Sequence, residues 1–192
     1  MLKESIQKLI ANQSKVELYP EEYEFVINNR LSEPQSEIVK IEGSSRFSDA
    51  YIERSDKETE EFLGEENASF LEQPISYFKQ HMNEFLYLES KWFDLIGVDA
   101  ISFEVDDLFS TYDVMLGLKI QKKYSSQLRD YFSQHSVDPN EPVDLIFDAQ
   151  EGIWNINFSL HTLRGFSEDM TVAEAYQLVY SFIFSFVQSI EK

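Results

Sequence analysis

A strand–strand–helix pattern that runs twice through the second half of the chain is the feature that most constrains the fold. The first copy covers residues 100–136 and the second covers residues 142–190. Each of the four strand candidates alternates apolar with polar side chains, as strands do when one face of their sheet is buried. The pattern therefore predicts an antiparallel sheet with one buried face and one free face.

The two copies supply four strands and two helices. Helical spacing of apolar residues predicts a helix over residues 122–134, and Thr171 with Glu174 forms a capping-box pattern at the start of a second helix that ends at Ile190. The apolar positions of the four strands are Ile101, Phe103 and Val105; Val114, Leu116, Leu118 and Ile120; Val143, Leu145 and Phe147; and Trp154, Ile156, Phe158 and Leu160.

Two helices are predicted between residue 55 and the start of this pattern. A stripe of apolar residues predicts a long helix from Pro74 to Asp94, and a capping-box pattern at Ser55 with Glu58 predicts a shorter helix that ends at Gly64. The predicted fold is α+β, with an antiparallel sheet of at least four strands and helices packed on one face. The predicted order in the C-terminal two thirds is α-β-β-α-β-β-α.

The first part of the chain gives weaker signals. Apolar spacing predicts a helix over residues 2–12, and alternation predicts strands over 22–29 and 37–42, with Pro34 in the connection between them. We expect these two strands to form a hairpin. The prediction is a single domain over residues 1–192, in which 1–54 form a helix-plus-hairpin appendage and 55–192 form the main α+β body.

Charge and cysteine content limit the classes of partner. The chain has 35 acidic and 16 basic residues, a net charge of -19, which repels phosphate backbones and favours a basic protein partner. It has no cysteine, so disulfides and thiolate chemistry are excluded. An acidic excess is common in bacterial cytosolic proteins, and no stretch is typical of a signal peptide or a membrane span. We expect a cytoplasmic protein, monomeric or homodimeric, that binds neither nucleic acid nor membrane.

Motifs for catalysis are missing from the sequence. The six glycines are more than ten residues apart, so a glycine-rich phosphate loop cannot be built. His81 and Glu84, three residues apart on the predicted helix, could address one metal ion, or they could be an exposed pair. His135 lies at the end of a predicted helix, where a capping role is expected. No cofactor and no metal are predicted.

The free sheet face carries the candidate site. Strand alternation places several carboxylates, two amides and one imidazole on the polar sides of the strands. Three interpretations stay open for this face: a solvated surface, a surface that binds a partner, and a catalytic site with paired carboxylates. The candidate residues are Glu104, Asp106, Asp144, Asp148, Asn155, Asn157 and His161.

Two functional hypotheses follow. The first is a non-enzymatic interaction protein, of an immunity-protein or chaperone type, that engages a basic protein partner. The predicted order of elements between Pro74 and Lys192 resembles the topology of the bacterial secretion chaperones, which are also small, acidic and cytoplasmic, and this likeness implies a protein client. The alternative is a small-molecule or metal-dependent enzyme that uses the carboxylates and His161 of the free face.

Overall fold

The computed structural model describes residues 1–11, 13–32, 36–41, 44–139 and 141–191. The helices are α1 (Leu2–Ala11), α2 (Pro20–Asn29), α3 (Tyr77–Gln80), α4 (Lys91–Ile96), α5 (Ser125–His135) and α6 (Val172–Ile190). The strands are β1 (Lys15–Leu18), β2 (Glu37–Lys40), β3 (Tyr51–Asp56), β4 (Phe62–Glu66), β5 (Glu84–Glu89), β6 (Val98–Val105), β7 (Tyr112–Leu118), β8 (Asp144–Asp148) and β9 (Ile153–Ser159). Short 3-10 turns lie at Ser44–Phe47, Ala68–Glu72, Lys122–Tyr124 and Leu160–Thr162.

Seven strands form one antiparallel sheet in the order β4-β3-β5-β6-β7-β9-β8. The four predicted strands are β6, β7, β8 and β9, and their apolar positions face the buried side. Helices pack against that side, so the predicted α+β fold class is confirmed. The alternation predicts these strands correctly because only one face of the sheet is buried. A shift of one residue would move the apolar side chains of a strand to the solvent side.

The long C-terminal helix α6 covers the buried face of the sheet. Its first turn has the predicted capping box, in which the Thr171 hydroxyl accepts from the Glu174 amide and the Glu174 carboxylate accepts from the Thr171 amide. Tyr176 stacks on Phe103 of β6, with ring centroids 4.0 Å apart. Its hydroxyl donates to the carbonyls of Leu86 and Ile101, so one side chain joins α6 to two neighbouring strands.

The long helix predicted from Pro74 to Asp94 is wrong. This segment contains the short helix α3, the strand β5 and the start of α4. Leu86 and Leu88 are buried while Glu89 is exposed, so the period is two and the segment pairs with β3 and β6. From Lys91 onward the elements do follow the order helix, strand, strand, helix, strand, strand, helix, with α4 as a much shorter first helix.

The short helix predicted to begin at Ser55 is also wrong, because this segment is the β3–β4 hairpin. Ser55 is 2% exposed and lies within β3, so it does not cap the start of a helix. The adjacent Asp56 accepts from the amides of Glu58 and Thr59 and so stabilises a hairpin turn. The acidic residues between positions 58 and 66 therefore lie in a hairpin turn and in the edge strand β4.

The N-terminal region differs from the prediction as well. Helix α1 is confirmed, but the strand predicted over 22–29 is the helix α2, which begins at Pro20 because the fixed φ of proline suits a first helical position. β1 and β2 pair in parallel, and parallel strands need a crossover such as α2. The predicted hairpin is therefore wrong; Pro34 and residues 12 and 42 lie outside the described residues.

A buried charged network, which the sequence did not predict, links α2 to α6. The Arg46 side chain is 1% exposed and its guanidinium lies 4.1 Å from the ring centroid of Tyr19 and 3.9 Å from that of Tyr180. Its Nη1 donates to Glu22 Oε1 at 2.5 Å, and Glu22 is fully buried. The Tyr180 hydroxyl donates to the same carboxylate oxygen at 2.5 Å, so the ion pair is also tied to α6.

The N-terminal elements share the hydrophobic core with the rest of the chain. Leu2, Ile6 and Phe25 belong to the same cluster of buried side chains as those of α6. The boundary predicted at residue 54 falls inside β3. The division into an appendage and a body, within one domain, stays a prediction. Over the described ranges, no helix has the length and apolar character needed to span a membrane.

Candidate functional site

The side of the sheet that points away from α6, here called the outer face, is its more accessible side. Along β6 and β7, the residues that face α6 are buried, whereas those that face outward are half-buried. One row of cross-strand neighbours crosses the outer face from β4 to β8: Glu65, Glu53, Tyr87, Ser102, Met115, Asn157 and Asp144.

Three of the predicted site residues meet around a shallow depression on this face. Asp144 pairs with Asn157 across β8 and β9, and Asn155 lies opposite Gly117 of β7. The depression has a volume of about 570 Å³, and its lining includes Gly117 and Ile153; a Cβ at residue 117 would lie in ordinary contact with Ile153 Cδ1, at 3.5 Å. Its other walls are Tyr87, Asp99, Ala100, Ser102, Met115, Leu116, Ile146 and Ile156.

Glu104 lies toward another end of the outer face, in a cluster of like charges. It faces Asp113 directly across β6 and β7, and both side chains are half-buried. Burial raises the pKa of Glu104; Lys57 lowers it in part, and the nearby carboxylates of Asp113, Asp107 and Asp106 raise it further. Burial, together with Asp106, likewise raises the pKa of Asp113. Thr111, Lys57 and His161 lower the pKa of Asp113 in part, so the negative charge of the pair is only partly relieved.

Asp106 and Asp148 have a structural role, because each begins a hairpin turn. Together with Asp56, they define three turns of the same design, at residues 56–60, 106–110 and 148–152. In each turn the first carboxylate accepts from the amides of the third and fourth residues, and the first carbonyl accepts from the fifth amide at 2.9 Å. The fifth residues have positive φ: Glu60 (59°), Ser110 (54°) and Gly152 (73°).

Replacing Asp106 or Asp148 with alanine should therefore destabilise the fold, whereas asparagine should be tolerated. Each alanine variant loses two hydrogen bonds to a carboxylate, which we expect to cost about 1–2 kcal/mol of unfolding free energy. The asparagine side-chain oxygen can still accept both bonds. Asp144→Ala is the matched control, since Asp144 begins a strand. Urea denaturation measures the effect, and an equal loss in the alanine and asparagine variants would contradict the turn role.

Glu104→Gln is expected to stabilise the protein at neutral pH. It removes one of two opposed like charges, which is worth roughly 0.2–1 kcal/mol. Because the folded pKa of Glu104 is raised, wild-type stability falls as pH rises through that pKa, so the advantage of the variant should vanish in acid, below 4.5. Denaturation midpoints at neutral and acidic pH test this, with Asp130→Asn on α5 as the control. A less stable variant at neutral pH would refute it.

His161 does not lie on the strand where the alternation placed it. It belongs to the Leu160–Thr162 turn that follows β9, and its ring stacks on the buried Tyr112, with centroids 5.7 Å apart. Its Nε2 lies 3.5 Å from a Glu168 carboxylate oxygen. The alternation ends because Ser159 caps this turn by accepting from the His161 amide.

The carboxylates predicted for catalysis are not gathered in one place. The register of β7 with β9 puts Asp113 opposite Ser159 and Leu118 opposite Trp154. The turn that holds Asp106 therefore lies at one end of the strands, and the turn that holds Asp148 lies at the other, about 17 Å away. Within the residues that the structure describes, no group of three or more His, Asp or Glu side chains could hold a metal ion.

The other two histidines have local roles. The prediction of His81 and Glu84 on one helix is wrong, because His81 follows the last residue of α3 and stacks on Tyr77, with ring centroids 3.9 Å apart, while Glu84 lies in β5. The Glu84 carboxylate accepts from Arg54 at 3.0 Å and from Tyr77 at 2.9 Å. His135 is the last residue of α5, at the helix end as predicted.

Sequence reasoning missed two important residues of the outer face. Asp113 was left out because the predicted strand began at Val114, although extending the alternation by one residue would have placed Asp113 beside Glu104. Tyr87 was missed because its segment was predicted to be helical. A comparison with known proteins finds no matching family model, no matching curated protein and no matching solved structure. The resemblance to secretion chaperones therefore stays a prediction.

Proposed function

We propose that this protein is a non-enzymatic interaction protein, acting in the cytoplasm as a monomer or homodimer, whose outer face binds a basic protein. The observation that carries the proposal is the opposed pair Glu104 and Asp113 on an accessible sheet face. Two half-buried like charges in direct register destabilise a sheet. Such a cost is understandable where a cationic partner neutralises the charges on binding.

The rest of the outer face has matching properties. Glu53, Glu65 and Asp144 extend the negative charge across the sheet, in register with one another through the central row. The depression beside Gly117 offers apolar walls next to the amides of Asn155 and Asn157. A lysine or arginine side chain could lay its aliphatic part along such walls and direct its charge to the carboxylates.

The enzyme hypothesis has less support from the geometry. It needs Asp106 and Asp148 as chemical groups, and both carboxylates are occupied by turn amides at opposite ends of the sheet. His161 is likewise turned toward Tyr112 and Glu168, and the residues that line the depression do not include it.

Matched charge reversals test the proposal. The wild-type protein first captures partners from an extract of the cells that produce it, and association rates are then measured with each purified partner. Glu65→Lys with Asp144→Lys changes the outer face, and Glu4→Lys with Asp130→Lys makes the same change in net charge on exposed positions of α1 and α5.

We expect the outer-face pair to slow association by about tenfold at low salt, and the difference to shrink at high salt because the charges are screened. The control pair should have a much smaller effect. Equal effects of the two pairs would show that net charge alone matters, and binding that does not respond to salt would refute the proposal.

A further inference from the structure

Two neighbouring apolar residues at the tip of the β6–β7 hairpin stand out from the rest of the surface. Leu108 is 86% exposed and Phe109 is 78% exposed, the highest values among the large hydrophobic residues found exposed. Removing such side chains from water is favourable, so their exposure at the tip does not stabilise the free protein. Single exposed apolar residues are ordinary, but an adjacent Leu–Phe pair at this exposure requires a reason.

The turn itself does not require apolar residues at these positions. In the turn of the same design at 56–60, the third and fourth residues are Glu58 and Thr59, and in the turn at 148–152 they are Gln150 and Glu151. All three turns form the same hydrogen bonds. Because polar residues serve equally well in two of them, the Leu–Phe pair in the third is not explained by turn geometry.

The turn holds the pair in a defined position. Asp106 Oδ1 accepts from the Leu108 amide at 2.8 Å and from the Phe109 amide at 2.6 Å. The neighbouring Asp107 binds Lys57 at 2.8 Å, and Lys57 also donates to the Val105 carbonyl at 2.8 Å. Little conformational entropy therefore remains to be lost in the backbone when the tip is bound, which favours binding.

Negative charge surrounds the apolar tip. Glu104, Asp106, Asp107 and Asp113 lie at its base, and the raised pKa values of Glu104 and Asp113 reflect both burial and this accumulation of charge. Lys57 is at this end, but its ammonium is already bonded. An anionic lipid surface or a second copy of this chain, with its net charge of -19, would be repelled.

We propose that Leu108 and Phe109 are the anchor residues by which this protein inserts into an apolar pocket, rimmed by lysine or arginine, on a folded partner protein. The inference rests on the proposed function and extends it, because it places the strongest contact at one end of the outer face. Aromatic residues are enriched at protein interfaces, and a few fully buried residues carry most of the binding energy there.

Photo-crosslinking in the producing cells tests where the partner sits. p-Benzoylphenylalanine replaces Phe109 in the full chain, and in separate variants it replaces Glu151, the equivalent position of the turn at the other end of the strands, and Met115 in the centre of the outer face. We expect Phe109 to yield an adduct with one basic protein and Glu151 to yield none. An adduct with the chain itself, or none at Phe109, would overturn the inference.

Affinity measurements with the purified crosslinked protein complete the test. Phe109→Ser is expected to weaken binding at least about 30-fold, as for a buried aromatic anchor, while Gln150→Ser with Glu151→Ser changes it little. The thermal midpoint of Phe109→Ser should stay unchanged, since the side chain is exposed. Less than threefold weakening, or Phe109-dependent sedimentation with vesicles of phosphatidylcholine and phosphatidylglycerol, would refute the anchor role.

The outcomes separate the inference from the function on which it rests. If the outer-face lysine variants lose affinity and Met115 crosslinks while Phe109→Ser binds normally, the interaction function stands and the anchor is wrong. If neither set of variants affects binding of any captured protein, both proposals fail.

Discussion

Arg46→Met is expected to lower the free energy of unfolding by about 3–5 kcal/mol, because it leaves Glu22 as a buried charge without its cation. The Glu22 side chain is fully buried, and its carboxylate accepts from Arg46 and from the Tyr180 hydroxyl. Methionine keeps the apolar length of the arginine stem, so most of the loss should be electrostatic. Chemical denaturation followed by tryptophan fluorescence would measure it, since Trp92 lies 5.1 Å from the guanidinium.

Two controls isolate the buried pair. Lys91→Met removes a cation that pairs with Asp49 at the surface, where both side chains are more than half exposed, and should cost less than about 1 kcal/mol. The double variant Arg46→Met with Glu22→Leu removes both charges and should be more stable than Arg46→Met alone. A double variant that is no more stable than the single one would show that packing, and not the unpaired charge, dominates.

The same network explains why residues 22–29 were predicted to form a strand although they belong to the helix α2. Tyr23, Phe25 and Ile27 alternate, which is typical of a strand, but Ile27 is 53% exposed. The buried positions are Glu22, Phe25 and Val26, a helical spacing that is invisible when glutamate is counted as a surface residue. Glu22 is a core residue because of tertiary contacts, the ion pair with Arg46 and the hydrogen bond from Tyr180, so the local pattern could not reveal the helix.

The sheet was predictable where one face alone is buried, and less so elsewhere. In β9 each inward residue is apolar and most outward ones are polar, so the period is clear. In β5 the outward side also carries large side chains, Phe85 and Tyr87, and Phe85 also fits a helical stripe with Phe78 and Met82. Pairing with β3 and β6 decides between the two periods, and such pairing depends on distant parts of the chain.

The candidate site was predicted in part for a similar reason. Alternation correctly placed Asn155, Asn157 and Asp144 on one face, because β8 and β9 are regular over those residues. The turn role of Asp106 and Asp148 was not predicted. Glycine four residues after an aspartate, as Gly152 is after Asp148, is typical of a capped turn, whereas Ser110 gives no such signal for Asp106. That turn chemistry, once recognised, also reveals Leu108 and Phe109 as exceptions.

Tyr176→Ala is expected to cost about 3–5 kcal/mol, because it removes the side chain that joins α6 to the middle of the sheet. The Tyr176 side chain is fully buried and stacks on Phe103, so alanine leaves a cavity between helix and sheet. Tyr176→Phe keeps the ring and loses only the hydroxyl, which donates to the carbonyls of β5 and β6 at 3.3 Å; we expect a loss of about 1 kcal/mol.

The comparison of these two variants separates packing from hydrogen bonding at the interface of α6 with the sheet. Ile146→Ala, on the outer face, is the surface control, since Ile146 is 64% exposed and should change stability by less than about 0.5 kcal/mol. Urea denaturation of the three variants measures their free energies of unfolding and so gives the order of their stabilities. If Tyr176→Phe were as damaging as Tyr176→Ala, the hydroxyl would dominate; if neither variant were less stable than Ile146→Ala, α6 could not be packed on the sheet through Tyr176, and the assignment of the opposite side as the free face would lose its basis.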